Sequence, residues 1–138
     1  MKKLGTFLLL AMVLVGCQSP DPVQKASPEL QRQYNAAFQE MLKDPGNLEV
    51  VMAYAQAATK AGDYEGAVGA NEGMLIIQSD LPRVRLELGL LYYRLKSYDA
   101  SRTYLETALA SPTLPADVRK PAEKLLAKMP KQSKSQRT

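Results

Sequence analysis

Residues 86–101 read LELGLLYYRLKSYDAS, and this stretch decides the fold because a weaker copy of it lies earlier in the chain. The earlier copy contains AGDYEGAV at residues 61–68, and Tyr64 in it is 34 residues before Tyr98. Self-similarity at a fixed interval is typical of repeat architectures. The same interval separates two further pairs of residues: Ala55 and Gly89, and Leu75 and Leu109.

The second copy contains Leu88-Gly89-x-x-Tyr92, which reproduces the L-G-x-x-Y core of the 34-residue tetratricopeptide repeat. The chain therefore resembles tetratricopeptide-repeat (TPR) proteins. That resemblance implies an all-α fold, a short right-handed superhelix of antiparallel helix pairs with about six helices. Small residues at Ala55 and Gly89 fit the place where two helices of one repeat cross closely. The alternative is a generic helical bundle whose tyrosines repeat by chance.

Four positions depart from the pattern of the family. Ala58 stands where the family has tyrosine, and Arg85 stands where it often has tryptophan. Asn71 stands where the family has a large apolar residue, and Ser101 stands where it has alanine. The second helix of the first copy also contains three glycines, each of which costs a helix interior roughly 0.5–1 kcal/mol relative to alanine. We therefore expect a soft or unusually close-packed helix at 64–77. The glycines are Gly66, Gly69 and Gly73.

Helical periodicity extends beyond the two copies in both directions. Ser27 is a plausible N-cap before Pro28, and the apolar stripe that follows predicts a helix at 28–43. A second amphipathic stripe follows Pro115, although Pro121 should delay or kink its start. The predicted TPR-like domain at 28–129 comprises a half-repeat at 28–45, repeats at 48–81 and 82–115, and a capping helix at 116–129. The basic tail at 130–138 is expected to be disordered.

The N-terminus has the parts of a bacterial export signal. Lys2 and Lys3 precede an apolar run at 4–15 that is too short to span a bilayer, and Gly16 precedes Cys17. The sequence around Gly16 and Cys17 resembles the lipobox of bacterial lipoproteins. The resemblance implies cleavage of a signal peptide at 1–16 and lipidation of Cys17.

The lipid on Cys17 would anchor the mature chain to a membrane, because two or more acyl chains hold a protein stably. Residues 17–27 are polar and proline-containing, and they are expected to form a lipidated flexible tether. Gln18 follows the cysteine, where enterobacterial lipoproteins retained in the inner membrane carry aspartate. The resemblance thus places the protein at the outer membrane, facing the periplasm.

The composition excludes several kinds of function. The chain has no histidine and one cysteine, so a Ser-His-Asp site, a Cys-His site and an internal disulfide are impossible. The carboxylates of the repeats are expected at solvated positions, so we predict no enzyme activity, no metal and no cofactor beyond the covalent lipid. Without the two N-terminal lysines the net charge is +2, which gives no reason to expect a nucleic-acid partner. The carboxylates considered are Glu65, Glu87, Asp99 and Glu106.

TPR domains bind other proteins through a concave face. The resemblance therefore implies a scaffold or adaptor in envelope assembly, secretion or pilus biogenesis, with an unidentified protein or peptide partner carrying some negative charge. Alternatives are a self-associating structural lipoprotein, including a homodimer, and an accessory subunit of an envelope enzyme. Some of the groove residues could instead pack against the cap and the N-terminal helix. The resemblance assigns nine residues to the groove: Glu49, Met52, Gln56, Lys60, Arg83, Leu86, Leu90, Tyr93 and Arg94.

Overall fold

A computed structural model describes residues 22–131, and the regular structure in this part of the chain is entirely α-helical. The prediction of an all-α fold is therefore confirmed. No helix within these residues is long and apolar enough to cross a membrane. The seven helices of residues 22–131 are α1 (Pro22–Lys25), α2 (Pro28–Lys43), α3 (Leu48–Ala61), α4 (Tyr64–Ile77), α5 (Pro82–Arg94), α6 (Tyr98–Ala110) and α7 (Ala116–Lys128).

Several predicted features lie outside the described residues. These are the signal peptide at 1–16, the lipidation site at Cys17, the first part of the predicted tether and most of the basic tail. Within the predicted tether, α1 forms one helical turn that the sequence did not indicate. The Gln31 side chain of α2 donates a 2.8 Å hydrogen bond to the carbonyl of Ala26, and this contact ties the end of the tether to α2.

Side-chain caps explain where α2, α3 and α4 begin. Ser27 accepts a hydrogen bond from the backbone N–H of Leu30, Asn47 accepts from that of Glu49, and Asp63 accepts from that of Gly66. Each cap satisfies a backbone donor that the first turn of a helix leaves without a partner. The helices expected at 28–43 and 64–77 occur with those bounds.

Each helix from α2 to α7 packs against the next one along the chain, and α5 and α6 are the most extensively paired. The rings of Tyr93 and Tyr98 lie 5.6 Å apart near the turn, and farther from it Ser101 bonds to Gly89, so the two helices run antiparallel. A Cβ atom at Gly89 would lie 2.5 Å from Cγ of Leu105. The prediction of a close crossing at Gly89 is thus confirmed.

The three glycines of α4 have different environments. A Cβ atom at Gly66 would collide with the Asp63 carboxylate and would lie 2.8 Å from the Tyr54 hydroxyl. Gly69 and Gly73 have no such neighbour within 4 Å. Close packing therefore explains the glycine at position 66 but not those at positions 69 and 73.

Helix α7 begins at Ala116 and continues through Pro121, so the expected delay of its start does not occur. A proline in a helix interior removes one backbone hydrogen bond. The apolar face of α7 compensates, because Ala122 is buried against Leu105 and Ala108 of α6. Tertiary packing therefore outweighs the local preference of Pro121.

Two tyrosines of α5 and α6 hold α4 in place. Tyr92 donates a 2.6 Å hydrogen bond to Oε1 of Glu72, and Tyr104 donates to the same oxygen at 3.2 Å. Their rings are stacked with centroids 5.6 Å apart. The two hydrogen bonds join α4 to α5 and α6 at Glu72, the residue next to Asn71.

Candidate functional site

A cavity of about 220 Å³ lies between α3, α4 and α5. Met52, Ala55 and Thr59 of α3 form one wall, and Leu91 of α5 forms another. The Thr59 hydroxyl donates to the Ala55 carbonyl at 2.8 Å, so its hydrogen is used within its own helix while its oxygen can still accept a hydrogen bond. The other residues of these two walls are apolar. Gln56 and Lys60 also line the cavity and are exposed, so it opens to solvent.

Asn71 of α4 lines the same cavity and is 1% exposed. Its Nδ2 donates a 2.9 Å hydrogen bond to the carbonyl of Ala67. That carbonyl can only accept, so it selects the NH₂ end of the amide and leaves Oδ1 as the free end. No group in residues 22–131 donates a hydrogen bond to the buried Oδ1. An unsatisfied buried acceptor costs about 1–3 kcal/mol, so Oδ1 of Asn71 lowers the stability of the folded protein.

The cavity has one charge of each sign. Lys60 is exposed, whereas Glu87 of α5 is partly buried. Burial raises the pKa of the Glu87 carboxyl above its ordinary value, and the nearby Arg83 opposes this rise with a smaller effect. Desolvation disfavours the ionised form of a carboxyl group, so the cavity is a poor environment for a second negative charge.

Three of the nine predicted groove residues, Met52, Gln56 and Lys60, line this cavity. Glu49 lies in the first turn of α3 and Arg83 in the first turn of α5, and both are exposed. These two residues are outside the cavity lining but lie on the same two helices. The structure thus places three of the four predicted residues of α3 in the lining of the cavity and none of the five predicted residues of α5.

The other four predicted groove residues make contacts outside the cavity. Leu86 is 4% exposed in an apolar cluster with α6 and α7, and Leu90 and Tyr93 pack against this cluster. Arg94 lies over the ring of Tyr64, with its Cζ atom 5.7 Å from the ring centroid. Leu86 has no exposed side chain to offer a partner because it is buried in a cluster with residues of α6 and α7. Leu86 and Leu90 therefore pack within the protein, as the alternative interpretation of the groove residues allowed.

The groove assignment missed Asn71 and Glu87. Asn71 carried a sequence signal, since it is a polar residue at a position where the repeat has a large apolar one. Glu87 carried no sequence signal of this kind, because a glutamate on a helix is ordinarily solvated. Glu65, Asp99 and Glu106, which were considered with it, are exposed.

The cavity contains a single carboxylate, that of Glu87, and no pair that could divide general acid and base roles. Among residues 22–131, no group of three or more acidic, histidine or cysteine side chains is placed to hold a metal ion. The apolar walls of the cavity suit the packing of an apolar group. No protein-family model matches the chain, and no curated protein is significantly similar to it.

Proposed function

We propose that the protein is a non-enzymatic, lipid-anchored scaffold that holds a protein or peptide partner in the cavity between α3, α4 and α5. The observation that carries this proposal is the cavity itself, with buried apolar walls and exposed Gln56 and Lys60 at its opening. Such a combination of an apolar interior and a few polar groups is typical of binding sites. The class of pathway is envelope assembly, secretion or pilus biogenesis.

We further propose that the helices form a TPR-like right-handed superhelix. The 34-residue interval in the sequence supports this arrangement, as does the packing of each helix against the next. An experimental structure of the domain would test it through the inter-helix angles. A closed bundle, in which α2 contacts α7, would contradict the proposal.

The anchor belongs to the same proposal and rests on the lipobox-like sequence ending in Cys17. Metabolic labelling with palmitate should label the protein, and Cys17→Ser should abolish the label and release the folded domain from the outer membrane. A Ser19→Ala variant provides the matched control and should be labelled normally. Labelling that persists in Cys17→Ser would contradict the anchor.

Site-specific photo-crosslinking in the intact envelope tests the scaffold function. A photoreactive residue at Gln56, at the opening of the cavity, should give a discrete crosslinked product. The same residue at Glu106, which is exposed on α6, provides the control and should not give this product. Identical crosslinking profiles from the two positions would contradict partner binding at the cavity.

Self-association is a second candidate, favoured by two exposed apolar side chains at the end of α4. Ile76 is 87% exposed and Ile77 is 62% exposed, which is unusual for large apolar residues. The molecular mass of residues 18–138 at several concentrations distinguishes this candidate. A monomer at all concentrations would contradict self-association and leave the scaffold proposal in place.

A further inference from the structure

We propose that one end of the helical array, the end at which the tether enters, lies against the surface of an anionic phospholipid membrane. This inference rests on the proposed lipid anchor and adds the protein surface that faces the membrane. We call that surface the tether end. It comprises α1, the turn between α3 and α4, the turn between α5 and α6, and the residues that follow α7.

The helices alternate in direction, so every second junction lies at the tether end. The Tyr34 hydroxyl, in the first half of α2, donates a 2.8 Å hydrogen bond to Asp63 in the turn after α3. The Arg94 guanidinium, at the end of α5, lies over the ring of Tyr64, the first residue of α4. The first half of α2 is therefore close to the α3–α4 turn, and this turn is close to the end of α5.

The end of α7 belongs to the same surface. Nη2 of Arg102, in the first half of α6, donates a 3.0 Å hydrogen bond to the carbonyl of Pro130, which follows α7. Lys96 of the α5–α6 turn and Lys131 line the same depression. The tether end therefore extends from α1 to the last described residue of the chain.

The tether end carries more exposed positive than negative charge. Six exposed cations lie on it, and none of them forms an ion pair with an acidic side chain among residues 22–131. Its exposed acids are Glu65 and Asp99, together with Glu29, which forms an ion pair with Arg32. Asp63 is partly buried and caps α4. The cations are Lys25, Lys60, Arg94, Lys96, Lys128 and Lys131.

Lys96 has a backbone conformation that favours glycine. Its φ is 61°, and Gly62, which is 34 residues earlier, lies in the same left-handed region with a φ of 88°. The two residues follow α5 and α3, at equivalent turns of the two copies. A lysine in this conformation lowers stability relative to glycine. The exposed charge of Lys96 thus occurs in a strained backbone, a combination that is typical of functional positions.

The length of the tether and the type of cation select a membrane as the occupant. Cys17 is five residues before Pro22, so the proposed lipid would hold the start of α1 within about 18 Å of Cys17. Five of the six cations are lysines, whose point charges suit a diffuse anionic surface, whereas recognition of a single carboxylate typically uses the fork of arginine. The exposed Ile76 and Ile77, at the other end of α4, would lie away from the membrane.

Cosedimentation with vesicles tests this surface without the lipid anchor. The soluble chain 18–138 should bind vesicles of equal parts phosphatidylglycerol and phosphatidylcholine, and it should not bind phosphatidylcholine alone. Lys128→Gln should lower the partition coefficient roughly fivefold, the factor expected for one cation near an anionic surface. The matched control is Lys120→Gln, an exposed lysine about 12 Å farther along α7. It should have little effect in about 0.1 M salt, where the Debye length is about 10 Å.

Lys96→Gly separates membrane binding from folding. This variant should also lower the partition coefficient roughly fivefold, because it removes one cation from the tether end. Its midpoint of urea denaturation should nevertheless rise, since glycine adopts the left-handed conformation without strain. Weaker binding by a more stable protein cannot arise from unfolding. Lys96→Arg keeps the charge and should bind the anionic vesicles as the wild type does.

Three results would overturn the inference: equal binding of the wild-type chain to the two kinds of vesicle, equal effects of Lys120→Gln and Lys128→Gln, or tighter binding to polyglutamate than to the anionic vesicles. The last result would indicate an acidic protein as the occupant instead.

The inference and the proposed function can fail separately. Chain 18–138 lacks Cys17, so its vesicle binding does not depend on the outcome of palmitate labelling. A discrete crosslink from position 56 without vesicle binding would retain the scaffold function and exclude this membrane contact. Binding to anionic vesicles that depends on Lys128, without any crosslink, would exclude the scaffold function instead.

Discussion

The hydroxyl of Ser101 donates a 2.7 Å hydrogen bond to the carbonyl oxygen of Gly89, across the closest approach of α5 and α6. Both residues are buried, and Ser101 is 0% exposed. The glycine permits the approach, since a side chain there would collide with Leu105, and the approach brings the Gly89 carbonyl within reach of the serine. Ser101, which departs from the alanine of the TPR pattern, thus has a defined structural role.

Substitution of Ser101 by alanine should lower the free energy of unfolding by about 0.5–1.5 kcal/mol, the usual net contribution of one hydrogen bond. The loss is limited because alanine fits the same space and favours the helix. Chemical denaturation measures the change, and Thr107→Ala on the exposed face of α6 is the control. A stability equal to that of the wild type would show that the hydrogen bond contributes nothing.

Substitution of Gly89 by alanine should destabilise the protein by about 1–3 kcal/mol, the usual cost of overpacking. The added Cβ would lie 2.5 Å from the Leu105 side chain and 3.2 Å from its backbone nitrogen, which cannot move independently of α6. Gly69→Ala is the matched control, because open space surrounds that position. It should stabilise α4 by roughly 0.5–1 kcal/mol, so the two variants should change the denaturation midpoint in opposite directions.

Asn71→Leu should raise the free energy of unfolding by about 1 kcal/mol, because it removes a buried acceptor that has no partner among residues 22–131. Urea denaturation measures the gain, and the exposed Asn35→Leu should change stability by less than about 0.5 kcal/mol. If Asn71→Leu were instead less stable, the Oδ1 atom would have an important partner in the free protein.

Glu87→Gln should stabilise the protein at neutral pH but not in acid. Burial raises the pKa of Glu87 in the folded state, so the ionised carboxyl costs stability once the pH rises above the unfolded-state value of 4.5. Below that value the carboxyl is neutral in both states and the difference between the proteins should vanish. The gain should be at most about 1 kcal/mol, since solvent screens a partly exposed group.

The control for this variant is Glu106→Gln, which alters a solvated carboxylate on α6. Its stability should follow that of the wild type between pH 4 and pH 8. A gain from Glu87→Gln that persists below pH 4 would show that the effect does not arise from ionisation.

The stability of the α4–α5 contact should decline in alkali. The hydrogen bond to Glu72, together with burial, raises the pKa of Tyr92 to about 12, above its ordinary value of 10.0. The unfolded chain therefore loses this proton first, and the associated stability is lost as the pH rises from about 10 towards 12. The decline of the unfolding free energy over this interval should be shallower in Tyr92→Phe. Equal slopes would contradict the shifted pKa.

Local sequence signals were sufficient to predict the helices and several of their contacts. The cap at Ser27, the apolar stripes and the interval between Ala55 and Gly89 depend on neighbouring residues and on helical geometry, which the sequence contains directly. The delay expected from Pro121 did not occur, because the effect of this proline on where α7 begins depends on what the helix packs against. The candidate site was predicted in part, at Met52, Gln56 and Lys60.

The sequence by itself predicted the helices at 28–43 and 64–77 and a small residue at the close crossing at position 89, and its resemblance to repeat proteins implied the all-α class. The tertiary structure decided which residues of α5 are available to a ligand, because Leu86 is buried in a cluster with residues of α6 and α7 while Glu87 and Leu91 line the cavity. It also left Oδ1 of Asn71 without a partner among the described residues. The physical reason is that periodicity identifies the apolar side of a helix but not the neighbour that covers it. A buried acceptor without a donor arises only when neighbouring helices have packed around it.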